Sequence, residues 1–389
     1  MIHDYLTRAD AQQWASELRP DRDAATVLAR IAWSVITEPG DGVAGTLIAH
    51  LGPVEALRVA AGVQALPDAL PAARDTLVEA QKRWRLRLDR NTLCDAVAAA
   101  NRLKVGVLFP DDPLWPKALD DLGNHAPHML WLRGNREVLT AQTSIAIVGA
   151  RAATRYGEHA AAEIAGDLAS SGITVVSGGA YGIDGVAHRA TLGVDGQTVA
   201  FLAGGVDRLY PAGHSQLLER IAATGVLVSE VPCGTAPTKW RFLARNRLIG
   251  AASNATVVIE AGQRSGSLNT AGHAATLGRP LGAVPGPITS AASAGCHRLL
   301  REYDAACIRH AADARELLGL SEASGPITTL TDKDVLRLTD ALSSRSPRTT
   351  EDLARRSGLA VARIQTLLGL LLMQGVVAES HNGWRRLPT

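Results

Sequence analysis

The sequence predicts an α/β fold: a doubly wound, mostly parallel sheet, preceded by a helical segment and followed by a small helical tail. Three observations predict it. First, six short β-branched or apolar runs, residues 144–148, 174–176, 198–202, 226–228, 256–259 and 281–284, each end in a glycine or small-residue turn leading into a helical stretch. Second, these runs are apolar throughout rather than alternating, as strands buried on both faces are. Third, strand–turn–helix units follow one another without interruption, which is the pattern of a parallel sheet covered on both sides.

Ahead of the sheet, residues 1–100 read as helical. Apolar positions recur at helix spacing in residues 23–35 and 45–61, and Gly52-Pro53 reads as one helix stopping and the next starting. Residues 105–109 and 129–132 are candidate strands. Beyond the sheet, residues 321–327 are rich in Ser, Gly and Pro and read as linker. Residues 350–358 then read as a capped helix ending at Gly358, and residues 359–373 as a second helix. A hairpin starting at Gly375 completes a helix-turn-helix with a wing. The second helix carries Arg363 and Gln365 but is mostly Leu and Ile. That composition favours a protein-contact or dimer role over DNA reading, which needs polar reach into a groove.

With 389 residues, 46% hydrophobic and 20% charged, the chain has room for two or three domains and a sizeable core. Four scattered cysteines without a C-x-x-C argue against a disulfide framework and fit a reducing cytoplasm. The first residues lack a cationic region followed by an apolar run, and no apolar stretch reaches membrane-spanning length. A cytoplasmic protein without a membrane segment is expected.

Net charge is only +2, yet the charge is sorted. Residues 231–301 hold eight Lys/Arg (Lys239, Arg241, Arg245, Arg247, Arg264, Arg279, Arg298, Arg301) against one carboxylate, Glu260. Four of the cations, with Trp240 and Phe242, fall within residues 239–247, although aromatics are 4% of the chain. Cations interleaved with rings suit a polyanion that also offers faces to stack on, such as single-stranded nucleic acid. The competing reading is a solvated basic helix face. A second basic run, residues 82–87, reads as an exposed helix face.

In a doubly wound sheet, ligands bind beyond the carboxyl ends of the strands, where the glycine turns lie. The first turn, residues 147–157, offers Gly149 for close backbone approach and Arg151 for a bidentate contact. The second, residues 177–185, offers Ser177, Gly178 and Gly179. Asp184 and His188, four apart, could face each other, but Asp184 reads better as a helix-start acceptor. The third turn spans residues 203–211. The fourth, residues 260–270, clusters Ser265, Gly266, Ser267, Asn269 and Thr270 at a helix N-terminus, where free N–H groups and the helix dipole suit an anion. Several chemistries are missing: no Walker A loop, no G-x-S-x-G elbow and no H-E-x-x-H. Cys296-His297 and Cys307-x-x-His310 have irregular spacing for zinc, and no metal is expected.

Taken in order, Val148-Gly-Ala-Arg151, Tyr156-Gly157, Ser177-Gly-Gly-Ala-Tyr-Gly-Ile-Asp184, His188, Tyr210-Pro211, Ser229-Glu230, Phe242-Leu-Ala-Arg-Asn-Arg-Leu-Ile249, Glu260-Ala261, Ser265-Gly-Ser-Leu-Asn-Thr-Ala271 and Val284-Pro-Gly286 resemble the DNA-processing protein A (DprA/Smf) family. The resemblance implies a three-part layout. Residues 1–100 would form a helical (SAM/helix-hairpin-helix-like) domain and residues 101–320 an extended Rossmann-like DNA-binding domain. Residues 321–330 would be a linker and residues 331–389 a winged-helix-like domain. It further implies a homodimer that binds single-stranded DNA, protects it during natural transformation (competence) and loads the RecA recombinase, without catalysis and without a cofactor. Arg151, Lys239 and Phe242 fall on the family's pocket residues, Arg245, Asn246 and Arg247 on its R-N-R, and Ser265 to Thr270 on the adjacent loop. The candidate nucleic-acid-binding set is therefore Gly149, Arg151, Thr154, Ser177, Gly178, Gly179, Lys239, Phe242, Arg245, Asn246, Arg247, Ser265, Gly266, Ser267, Asn269 and Thr270. Leu243, Gly179 and Ala150 depart from the usual Pro, Leu and Ser of the family, and none of the three removes a cation.

Two other readings compete. A related α/β group, the nucleoside-monophosphate phosphoribohydrolases, uses P-G-G-x-G-T-x-x-E after a comparable strand, but the catalytic Glu would fall on Thr270, which offers no carboxylate. An interaction scaffold acting through the tail is compatible with DNA binding by the sheet domain.

Overall fold

The computed structural model describes residues 2–65, 74–320, 332–344, 346–373, 376–380 and 382–387. Contacts divide the chain into two compact units, Met1–Ser321 and Glu322–Thr389.

The first unit begins with six helices: α1 (Ile2–Thr7), α2 (Ala9–Leu18), α3 (Ala24–Ile36), α4 (Gly42–Ala61), α5 (Arg74–Arg87) and α6 (Arg90–Arg102). Their starts follow from local chemistry. The Asp23, Asp41 and Asp89 carboxylates accept backbone N–H groups at the first turns of α3, α4 and α6. The Gly52-Pro53 break is present inside α4, with Gly52 at φ +75, a left-handed value that glycine adopts without a Cβ clash.

Next come β1 (Gly106–Leu108), β2 (Leu130–Gly134), β3 (Ser144–Gly149), α7 (Arg155–Ser170), β4 (Thr174–Ser177), α8 (Ile183–Gly193), β5 (Thr198–Leu202), α9 (Ser215–Thr224), β6 (Val226–Ser229), α10 (Lys239–Ala251), β7 (Ala255–Ile259), α11 (Gly266–Thr276), β8 (Leu281–Ala283), α12 (Ala294–Glu302), β9 (Ala306–Cys307) and α13 (Ala311–Leu317). The nine strands form one sheet in the order β1-β2-β6-β5-β4-β3-β7-β8-β9. From β6 to β9 all pairs are parallel, and β2 and β1 continue the sheet antiparallel. The six apolar runs are β3 to β8, and the two candidate strands are β1 and β2. β9 was not expected: it has two residues, both exposed, and so carries no apolar signal.

The continuous apolar character of the strands has a direct cause. In β3, Ile145 and Ile147 pack with Ile164 and Leu168 of α7, while Ala146 and Val148 pack with Leu248 and Ile249 of α10. The six N-terminal helices join the sheet through a shared hydrophobic cluster in which Leu28, Ile31, Trp33, Leu57 and Trp84 meet Leu202, Leu218, Ile221 and Leu227.

The chain runs outward from β3 through β4 and β5 to β6, then returns to place β7 on the other side of β3. That reversal opens a crevice beyond the carboxyl ends of β3 and β7. Gly149 sits at its base. A Cβ there would lie 1.8 Å from the carbonyl oxygen of Ile259 on β7, so close strand packing alone requires glycine at this position.

The second unit holds α14 (Asp332–Ala341), α15 (Thr350–Ser357), α16 (Val361–Met373) and the antiparallel hairpin β10 (Val377–Ser380) and β11 (Gly383–Arg386). Thr349 caps α15, and Gly358 ends it in the left-handed conformation. Ile364, Leu367, Leu368 and Leu371 of α16 join Leu338, Leu353 and Val377 in the core of this unit. These four apolar residues of α16 are thus used for folding, whereas Val361 and Leu372 of the same helix stay exposed. Residues 321–330 and Gly375 lie outside the described residues.

Candidate nucleic-acid interface

A cleft of about 950 Å³ lies at the crevice. Its walls are the turn after β3, the loop before α10 with one face of that helix, and the turn into α11. Thr238 caps α10 by accepting the Arg241 N–H at 3.2 Å. Helix periodicity then sorts the side chains of α10. Lys239, Phe242, Leu243, Arg245, Asn246 and Ile249 line the cleft, whereas Arg241 and Arg247 turn to other parts of the unit.

Phe242 is the centre of the cleft. The Arg151 guanidinium lies over its ring at 4.6 Å and that of Arg245 at 5.8 Å. The Tyr210 ring stands 5.8 Å away, tilted by 57°. Arg151 and Lys239 are exposed. Arg245 is 5% exposed and donates to the carbonyls of Phe201 and Gly178. Its Nε–H has no partner among the described residues, and such an unsatisfied buried donor is costly. Burial pushes Arg245 down to about 10, and the nearby Asp184 carboxylate opposes that. Asp184 itself is pushed up by burial and accepts the backbone N–H groups of Gly178 and Ala180. On the far wall, Ser265 caps α11 by accepting from Ser267 N–H. Gly266, Ser267 and Thr270 present the start of that helix to the cleft, a favourable position for an anion. Asn246 donates to the Gly266 carbonyl at 3.2 Å and to Asn269 Oδ1 at 3.4 Å, tying α10 to α11.

Ten of the sixteen expected residues therefore line the cleft: Gly149, Arg151, Lys239, Phe242, Arg245, Asn246, Ser265, Gly266, Ser267 and Thr270. The other six hold the walls in place. Thr154 caps α7 and binds the Glu260 carboxylate through its N–H and hydroxyl. Ser177 is fully buried and donates to the Ile147 carbonyl. At Gly178 a Cβ would lie 2.3 Å from the Arg245 guanidinium. Gly179 takes φ +66 at the turn, and Asn269 faces Asn246. Arg247, expected on the ligand, instead forms a two-pronged ion pair with Glu230 at 2.7 and 2.8 Å and donates to the His125 carbonyl. Arg241 is held by Glu38 in the same manner. Tyr210 and Arg264 line the cleft without having been expected there. Arg264 belongs to the charge-sorted segment, and Tyr210 ends the third glycine turn, but neither signal by itself shows which way the side chain faces.

Asp184 and His188 do not face each other. His188 is fully buried. Its Nδ1 donates to Thr198 Oγ1 at 2.8 Å, because the Thr198 hydroxyl proton is already given to the Val175 carbonyl. Burial pushes His188 down to about 3. Below about pH 6.5 the unfolded chain takes up a proton that the folded chain refuses, so this contribution to stability declines from there toward pH 3. Melting temperature should accordingly fall between pH 7 and 5, with a shallower slope in His188→Gln; equal slopes would contradict the assignment. Cys296 and His297 turn to the carbonyls of Val258 and Gly286. Among the described residues no group of three or more His, Cys, Asp or Glu is placed to hold a metal ion, and no helix is long and apolar enough to cross a membrane. All four cysteines are free.

Residues 106–319, which contain the sheet and the whole cleft, match the family model of DNA recombination-mediator protein A. The chain belongs to the DprA/Smf family. Residues 322–383 match the DprA winged helix domain, in agreement with the fold of the second unit. The putative DNA processing protein DprA of Mycobacterium tuberculosis is 47% identical over 303 residues, covering 72% of this chain and 77% of that protein. The DNA processing protein DprA of Bacillus subtilis is 35% identical over 190 residues, covering 49% of this chain and 63% of that protein. The X-ray structure of DprA from Streptococcus pneumoniae superposes with a TM-score of 0.59 at 27% identity, covering 75% of this chain and 96% of that one. A structure of DNA processing protein A from Helicobacter pylori, described as addressing its single-stranded DNA binding mode, superposes with a TM-score of 0.50 at 29% identity. It covers 56% of this chain and 95% of that one.

Proposed function

We propose that this DprA-family chain binds single-stranded DNA in the cleft without catalysis. In this reading it protects strands taken up in natural transformation, passes them to the RecA recombinase, and acts as a cytoplasmic homodimer. The observation that carries DNA binding is the Phe242 ring held among Arg151, Arg245 and Tyr210, with Lys239 beside it. A base can stack on the ring, at about 1–3 kcal/mol, while its phosphates meet Arg151, Lys239 and the start of α11. The unpartnered Arg245 Nε–H supports the same reading, since a ligand acceptor would satisfy it. The non-catalytic part rests on the carboxylates nearby. Asp184 is held by backbone N–H groups and Glu260 by Thr154, and Thr270 stands where a phosphoribohydrolase would need its glutamate.

Fluorescence anisotropy of a labelled single strand and a matched duplex, at two salt concentrations, tests the reading. The single strand should bind more tightly, with log affinity falling against log salt by about 0.7 per phosphate contacted. Equal binding of the duplex, or salt-independent binding, would overturn it. Release of free base from a nucleotide by the pure protein would favour the enzyme instead.

A further inference from the structure

A second recess of about 440 Å³ lies on the other side of the first turn of α10, between it and α5. It contains two large apolar side chains left in solvent: Trp240 is 61% exposed and Leu86 is 88% exposed. Both sit in basic runs, Trp240 between Lys239 and Arg241, and Leu86 between Arg85 and Arg87. Arg83 on the same rim has a side chain 66% exposed, and its guanidinium stands 4.0 Å from the Asp41 carboxylate. The two carboxylates of the recess are already engaged. Glu38 lies between Arg241 and Arg87, and Asp41 accepts from Val43 N–H, Ala44 N–H and the Trp84 indole at 3.0 Å. What the recess offers outward is thus an indole face, an apolar neighbour and a cation.

We propose that this recess is a second single-stranded DNA subsite, continuous with the cleft, that takes the nucleotides leaving it. Lys239 lines the cleft and Trp240 lines the recess, so consecutive residues of one helical turn face the two sites. The ridge between them is the N-terminal end of α10, whose free N–H groups and dipole favour a phosphate. A strand whose phosphates cross that ridge brings its next base over the Trp240 indole, its sugar against Leu86 and its phosphate to Arg83. The subsite rests on the reading that the cleft holds single-stranded DNA, and the helical segment then becomes part of the binding surface.

A length series of oligothymidylates titrated against the full chain tests it, using wild type, Trp240→Ala, Arg83→Ala and Lys239→Ala. For wild type, affinity should continue to rise beyond the length that fills the cleft. Trp240→Ala should lose about tenfold in affinity for the long strands, as expected for one stacked base, and leave the shortest strands unaffected. Arg83→Ala should lower the salt slope for long strands by about 0.7. Lys239→Ala should weaken every length. Long strands should quench tryptophan fluorescence more in wild type than in Trp240→Phe. If Trp240→Ala and Arg83→Ala bind every length as wild type does, the recess is not a DNA subsite, whatever else docks there. If wild type binds no strand, the reading of the cleft fails first.

Discussion

The double substitution Arg151→Ala, Lys239→Ala should weaken single-strand binding by about 100-fold or more while leaving the protein folded. Hydrogen bonds to charged groups contribute about 1.5–3 kcal/mol each, and both cations line the cleft with no carboxylate among the described residues paired to either. Arg151 is held by its stack on Phe242 rather than by an ion pair. Both side chains are exposed, and surface substitutions of this kind change stability by about 0.5 kcal/mol or less. The melting temperature should therefore be that of wild type, and the salt slope should fall by about 1.4, the equivalent of two phosphate contacts. Wild-type affinity in the double variant would remove the cleft from consideration. Lost affinity accompanied by a large drop in melting temperature would mean that these cations serve the fold.

Arg247→Ala should do the opposite: strongly lower stability and leave DNA affinity intact when measured well below the melting temperature. The pair with Glu230 is nearly enclosed, with side-chain exposures of 7% and 11%. Removing one partner of a buried pair leaves an uncompensated charge and costs about 3–5 kcal/mol. Here the loss also frees the His125 carbonyl and loosens the Glu230 contact with Gly40 N–H. A fall in melting temperature on the order of 10 °C is expected. Replacing both partners, Arg247→Met with Glu230→Gln, should recover part of it, since the orphaned charge is then gone. A variant that melts like wild type but fails to bind DNA would return Arg247 to the ligand, as the family resemblance implied.

These two arginines show where sequence reading reached its end. Arg245 and Arg247 are two residues apart in one motif, and nothing local separates them. What distinguishes them is through-space context. Arg247 meets Glu230 and the His125 carbonyl, the latter 122 residues away in the chain, whereas Arg245 lines the cleft and donates to the Gly178 and Phe201 carbonyls. Gly149 carries a similar lesson. The residue type suggested close approach of a ligand, but the demand for glycine comes from the Ile259 carbonyl on the neighbouring strand. Leu367, Leu368 and Leu371 of α16, read as part of a contact surface, fill the core of their own unit because their partners, Leu338 and Leu353, lie on preceding helices, while Leu372 stays exposed.

The sequence by itself determined the parallel sheet, the placing of its six central strands, the Gly52-Pro53 break and the glycine turns that gather at one end of the strands. Each of these is set by periodicity, by a capping side chain or by backbone freedom within a few residues. Tertiary structure decided how the cations of α10 divide: Lys239 to solvent in the cleft, Arg245 to the Gly178 and Phe201 carbonyls, Arg241 to Glu38 and Arg247 to Glu230. The reason is physical. A helix sets the angle at which each side chain leaves its axis, but only packing decides which carboxylates, rings and carbonyls stand at that angle.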